Sequence, residues 1–354
     1  MDPLTTFSEL AEALTAAEAA HSTDEAGLAH SFAAVLANSD ALARVDPGLL
    51  LAQLLADPRS WPDQSWRNYF GNASITVIRS ETLRVDVLYW LQNASTLHKH
   101  VSSGAFLALS GRRLHLEYEF SSPDALDEGV TFGALTATSR TMMREASVAS
   151  ILPTLTHELY WIEKPSVTVS VRSTQLPERS LERPHEFIAP GAAYLPSAFQ
   201  STSNLQRWID GLGVLRLANH GLYLSTVETA LALVDPIHVI HVLDELCDNP
   251  ETEVASLLER ADRMRADNVI ARLAPAVPEF RRRKLLARVA ARCVEAQLLT
   301  ALLWAGAEGG ELAALLKAEG VTEPAAFVRQ HGEALYARDR RVQPYVDRAL
   351  SSLR

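Results

Sequence analysis

The sequence predicts an α+β protein in which a small β-barrel lies between two helical stretches. Between about residues 61 and 175, short apolar runs alternate with polar residues at a period of two, broken at intervals by turn residues. On either side the chain is rich in Ala and Leu at helical spacing. Its 354 residues also exceed what one hydrophobic core usually spans.

Residues 1–60 predict helices. Thr5 and Thr6 precede Phe7, Leu10 and Leu14 at helical spacing, and a second helix runs from Asp24 to about Leu36. Pro47 opens a third ahead of Leu49, Leu50, Leu51, Leu54 and Leu55, and Asp57-Pro58 ends it. Residues 61–175 predict the barrel, with strands around Ile75 and Val77, Leu83 to Val87, Phe106 to Leu109, Leu114 to Phe120, and Val167 to Val171. Turns fall at Ser110-Gly111 and at Ser121 to Asp124. Residues 176–203 hold Pro177, Pro184, Pro190, Gly191 and Pro196 and read as a linker or wrapping arm. Residues 204–354 predict a C-terminal domain of about six or seven helices, broken at Asp235-Pro236 and punctuated by Gly306, Gly309, Gly310 and Gly320. This domain offers a homodimer interface, a lid or a platform for a protein partner.

The net charge of −10 argues against nucleic acid and anionic membranes as partners, since both select a basic footprint. The one basic run, Arg281 to Lys284, reads as the solvated face of a helix. Cys247 and Cys293 lack a CxxC partner and read as two buried thiols. The opening MDPLTTFSELAEAL has no basic n-region, and no apolar run reaches the roughly 18 to 20 residues of a membrane span. The expected location is cytoplasmic. A nucleophile elbow, a phosphate-binding loop and a dinucleotide fingerprint do not occur.

The chemistry is concentrated in histidines. His98 and His100 are two apart, so on a strand both imidazoles face one side. His157, which opens a later β-like segment, is the best third ligand. Glu158 points to the other face, and His115, out of step with Leu114 and Leu116, is expected to face outward. His238 and His241 share a helix face beside Asp244 and read as surface or core residues. Tyr89, Trp90, Tyr118, Tyr160 and Trp161 read mostly as core, with Tyr160 placed to reach a bound substrate.

His98-x-His100, the Ser/Gly turn, the apolar strand and Ser110-Gly111 resemble the first motif of the cupin superfamily. His157, followed by Lys164-Pro165-Ser166 and the strand Val167 to Val171, resembles the second. The likeness covers roughly residues 65 to 175 and is nearest to the cysteine dioxygenase type of thiol dioxygenase. It implies a double-stranded β-helix, or jelly-roll, barrel for that stretch, to which the N-terminal helices and the C-terminal all-helical domain are additions. Two departures stand out. Val101 to Gly104 contains no carboxylate where ordinary cupins place a glutamate ligand, and of the family's Ser-x-His-x-Tyr series only Ser170 is kept, with Arg172 and Thr174 in the other places. The family's arginine clamp for a substrate carboxylate maps to Arg67, Arg79 or Arg84, and Arg172 offers a bidentate fork from the opposite wall.

The expected activity is that of a mononuclear non-haem iron oxygenase acting on a small amino-acid-like or thiol-like substrate with O2. Fe(II) is the expected metal, with Cu, Ni or Zn as alternatives that imidazole also suits. The expected site consists of His98, His100 and His157 at the metal, with Arg79, Arg172 and Tyr160 around the substrate. The alternative is a non-catalytic metal- or small-molecule-binding cupin whose helical domain docks a partner or regulates.

Overall fold

A computed structural model describes residues 3–21, 23–57, 59, 61–62, 64, 71–127, 129–173, 185–195, 202–248, 254–290 and 293–354. Three helices open the chain: α1 (Pro3–Ala20), α2 (Glu25–Ala37) and α3 (Pro47–Ala56). Asp24 caps α2 by accepting the Gly27 amide at 3.0 Å. Asp46 caps α3 by accepting the Gly48 and Leu49 amides at 2.8 Å, with Pro47 in the first turn where no amide partner is needed.

The strands are β1 (Ala73–Arg79), β2 (Leu83–Trp90), β3 (His98–Lys99), β4 (Gly104–Ser110), β5 (Arg113–Ala125), β6 (Val130–Met143), β7 (Val148–Ile151), β8 (Thr156–Trp161), β9 (Ser166–Ser173), β10 (Glu186–Ile188) and β11 (Ala192–Tyr194). They form an antiparallel sheet, β1-β2-β9-β4-β7, and a closed barrel in the order β10-β11-β6-β5-β8-β3. The protein is therefore α+β with a β-barrel and many helices. Strands β10 and β11 fall within the stretch read as a linker. At three residues each, they are too short to show alternation in the sequence.

The chain divides into two compact units. The first comprises Met1–Ser95, Lys99–Glu117 and Ser139–Pro184; the second comprises Thr96–His98, Tyr118–Thr138 and His185–Arg354. In the first, one face of the five-stranded sheet buries Val85, Val87, Leu107, Val167, Val169 and Val171 against Phe7, Leu10 and Leu14 of α1 and Leu28, Phe32 and Leu36 of α2. Glu18 of α1, 3 % exposed, fastens this layer by accepting from the Thr82 hydroxyl at 2.7 Å and the Ser173 hydroxyl at 2.6 Å. Register sets the opposite face, where Arg84, Asp86 and Leu88 stand across from Arg172, Ser170 and Thr168.

In the second unit, α4 (Thr202–Ala218), α5 (His220–Leu233) and α6 (Pro236–Asp248) are followed by seven further α-helices between Val254 and Ser352 among the described residues. That exceeds the expected number because helices such as Val269–Leu273 are short; this one begins after Asn268, at φ 43°, and not at a Gly or Pro. Tyr223, Val227, Leu231, Val239 and Leu243 pack with Val130 and Phe132 of β6. The basic run is not a solvated face: Arg282 donates to Glu279 at 2.7 Å and to the carbonyls of Leu303 and Trp304, while Lys284 donates to Asp244 at 3.0 Å. Cys247 is buried, but Cys293 is exposed and its Sγ caps the next helix by accepting the Ala296 amide at 3.4 Å. No helix among the described residues is long and apolar enough to cross a membrane.

Candidate metal centre

His98 opens β3, and its Nδ1 lies 2.9 Å from the Thr96 carbonyl oxygen. A carbonyl only accepts, so Nδ1 carries the proton and Nε2 keeps the lone pair. His100 follows two residues on, its backbone amide donating to the Leu155 carbonyl at 3.0 Å. His157 is the second residue of β8. The Nε2 atoms of His100 and His157 are 2.8 Å apart, with ring centroids at 4.8 Å and planes tilted by 56°. One ligand atom from each of His98, His100 and His157 lies within 4.8 Å of the others, and no other such set of three occurs among the described residues. His98 and His157 are buried and His100 is half-buried.

The donor types and the His100–His157 spacing suit a metal ion, while the widest donor separation would have to close slightly around it. Two nitrogens about 2.0–2.1 Å from one ion and at right angles to it would be about 2.9 Å apart, close to the separation of the His100 and His157 nitrogens. The full 4.8 Å span is a little wider than two such bonds end to end, about 4.2 Å. Among the described residues no fourth ligand joins the three imidazoles, an arrangement akin to catalytic sites, which keep a position open, more than to closed structural ones.

Behind His157 stands His115, which the sequence reading turned outward. It is 3 % exposed, and its Nε2 lies 2.8 Å from His157 Nδ1. Its Nδ1 is 3.7 Å from Glu117 Oε1. Phe106 packs edge-on to His115, with centroids 5.6 Å apart, and lies 6.1 Å from the His157 ring. Both faces of β5 are buried at this point, with Arg113, Leu114, His115 and Leu116 all enclosed, so alternation does not separate an inner from an outer side. The polar series Arg113, His115 and Glu117 at a spacing of two shares one face of β5, but such a series reads as a solvent face, so the sequence carries no signal that His115 is buried.

The inner wall of the five-stranded sheet carries charge. Asp86, fully buried, accepts from Thr76 Oγ1 at 2.7 Å, Arg84 Nε at 2.8 Å and Arg172 Nη2 at 2.9 Å. Two guanidiniums against one carboxylate leave this cluster net positive. Burial pulls the pKa of Arg172 down while Asp86 pushes it back up, and the balance lies below the ordinary arginine value. Arg172 stands opposite Gly104, where a Cβ would come 2.3 Å from the Val171 carbonyl oxygen, so glycine lets β4 and β9 approach. Arg113, also fully buried, donates to the carbonyls of Ser110 at 2.6 Å, Gly111 at 3.2 Å and Val167 at 3.1 Å, and to the Thr168 hydroxyl. Burial pulls its pKa down to about 9.

The remaining expected residues are scattered. Arg79 is exposed at the end of β1, paired in register with Arg84. Tyr160 is fully buried and, by strand alternation, lies with Glu158 on the face of β8 opposite His157. Trp90 and Trp161 stack at 4.1 Å in the same buried cluster as Phe106. Ser170 is buried opposite Asp86, while Arg67 and Thr174 lie outside the described residues. His238 bonds Asp235 at 2.6 Å, and the His241 ring lies 6.0 Å from Tyr194. They form no metal set with Asp244.

No protein-family model matches the chain, and no curated protein matches it. Among solved structures it is similar to the DMSP lyase DddQ of Ruegeria pomeroyi DSS-3, at 14% identity and TM-score 0.26 over 41% of this chain and 73% of that one. It is similar to a hydroquinone 1,2-dioxygenase of Sphingomonas sp. TTNP3 bound to 4-hydroxybenzoate, at 13% identity and TM-score 0.23 over 30% and 67%. It is also similar to a cupin superfamily protein of Desulfitobacterium hafniense DCB-2, at 9% identity and TM-score 0.21 over 32% and 93%. Likenesses of this size carry no argument about the chain, and the imidazole geometry stands alone.

Proposed function

We propose that the chain is a cupin-type, mononuclear non-haem iron oxygenase acting with O2 on a small amino-acid-like or thiol-like substrate. The observation that supports this is the convergence of donor atoms from His98, His100 and His157 within 4.8 Å. Three neutral histidines and no protein carboxylate in the set suit Fe(II), with Cu, Ni and Zn as the competing ions. When bound, the ion supplies the electron chemistry between O2 and substrate.

The chain's own residues hold, orient and exclude. Thr96 fixes the His98 ring through its Nδ1–H, and His115 stands at Nδ1 of His157. Phe106, packed on His157 and His115, and the stacked Trp90 and Trp161 form a dry wall. Arg172, backed by Asp86 and Arg84, takes the substrate's carboxylate with its planar fork.

Metal analysis of the purified protein should find about one iron per chain, and an oxygen electrode should record uptake with a subset of small thiols and amino acids. His98→Ala and His157→Ala should each lose both signals. Undiminished O2 uptake in either variant ends the oxygenase reading, and metal retention without uptake on any tested substrate favours a binding protein.

A further inference from the structure

We propose that His115 is the positioning residue for His157, holding that ring in the tautomer whose Nε2 lone pair faces the metal centre. The inference rests on the metal reading and adds a role that ligand counting does not give. A neutral imidazole has one N–H and one lone pair, so His157 can offer Nε2 as a ligand only if Nδ1 carries the proton. That proton needs an acceptor, because an unpaired buried N–H is costly. His115 Nε2, at 2.8 Å, is in place to accept it.

Accepting there puts the proton of His115 on its own Nδ1. That atom lies 3.7 Å from the Glu117 carboxylate, the kind of group an N–H should face. Read outward from the centre, both protons then point away from it: His157 Nδ1–H to His115, and His115 Nδ1–H toward Glu117. His98 reaches the same outcome by a separate route, its Nδ1–H going to the Thr96 carbonyl at 2.9 Å. Packing is consistent with the arrangement, since Phe106 lies beside both rings and His115 meets His157 nearly perpendicular, at 87°. A histidine present only to fill the core would not need its nitrogen aimed at the ligand's second nitrogen.

The test measures Co(II) affinity by chelator competition in the wild type, His115→Phe and His115→Gln, together with the ring 15N spectrum of His157 in metal-free protein. Losing such an outer partner typically weakens binding about 10–100-fold, which is expected for His115→Phe. His115→Gln, whose amide oxygen can accept the same N–H, should recover most of the affinity. The Nδ1–H signature of His157 should be present in the wild type and lost in His115→Phe. Wild-type affinity in His115→Phe overturns the positioning role. If that variant does not fold, His115→Asn, too short to reach, replaces it, and equal affinities of the Asn and Gln variants overturn the role instead. A wild-type protein that binds no Co(II) overturns the metal reading itself and this inference with it.

Discussion

Replacing Asp86 by Asn removes one charge from the inner wall of the sheet and leaves two guanidiniums side by side. Asp86 is fully buried and accepts from Thr76, Arg84 and Arg172, and the two arginine side chains are each 22% exposed. Removing one partner of a buried ion pair costs about 3–5 kcal/mol, because the other charge stays desolvated without compensation. The partial exposure of both arginines lets water take up some of that burden, so the lower end, about 3 kcal/mol, applies. Urea unfolding followed by tryptophan fluorescence suits the measurement, since the stacked Trp90 and Trp161 lie in the same unit. With a slope of about 1–3 kcal/mol per molar urea, the midpoint should fall by about 1–3 M. Arg84→Met added to Asp86→Asn should cost much less than the sum of the two single losses, because it removes one of the stranded charges. A loss under about 1 kcal/mol, or strict additivity of the pair, refutes this account of the wall.

Gly104→Ala brings a methyl against the Val171 carbonyl and the Arg172 side chain, so a loss of about 1–3 kcal/mol and a displaced Arg172 are expected from denaturant midpoints and a variant structure. Phe32→Ala empties a fully buried site between α2 and the sheet and should cost about 3–5 kcal/mol by the same assay. Burial raises the pKa of Glu279, but the hydrogen bond from Arg282 and the charge of Arg283 outweigh it, so the carboxyl sits below its ordinary value. A depressed carboxyl stabilises above its unfolded pKa and loses that contribution as pH falls through the folded one. The stability gap between wild type and Glu279→Gln should therefore be full at pH 7 and close under acid, and a gap independent of pH down to about 2 would contradict the pairing.

Local periodicity made some features legible and long-range register hid others. Alternation at Val85 and Val87 and at Val167 to Val171 marked strands because that face meets a helical layer and must be apolar. The pair His98 and His100 stands out because a spacing of two puts both on one face of a strand, although β3 ends at Lys99 and His100 lies just beyond it. Asp86 gave no such signal: its partners Thr76, Arg84 and Arg172 come together only through the pairing of β2 with β1 and β9. His115 was misplaced because β5 is buried on both faces there, which removes the contrast that alternation depends on. Glu186–Ile188 and Ala192–Tyr194 were read as an arm because a strand of three residues shows barely one period.

Glu18, sealed against Thr82 and Ser173, has a practical consequence for anyone who would trim this protein to its β-rich middle. A chain started at residue 61 would lose that carboxylate and bare a ribbon of valines and leucines on one side of the sheet. Such a ribbon invites self-association, so the shortened product should collect in the insoluble fraction. The opening helices are half of a two-layer structure, and any ancestor or engineered relative that discards them must find another lid for the same greasy surface.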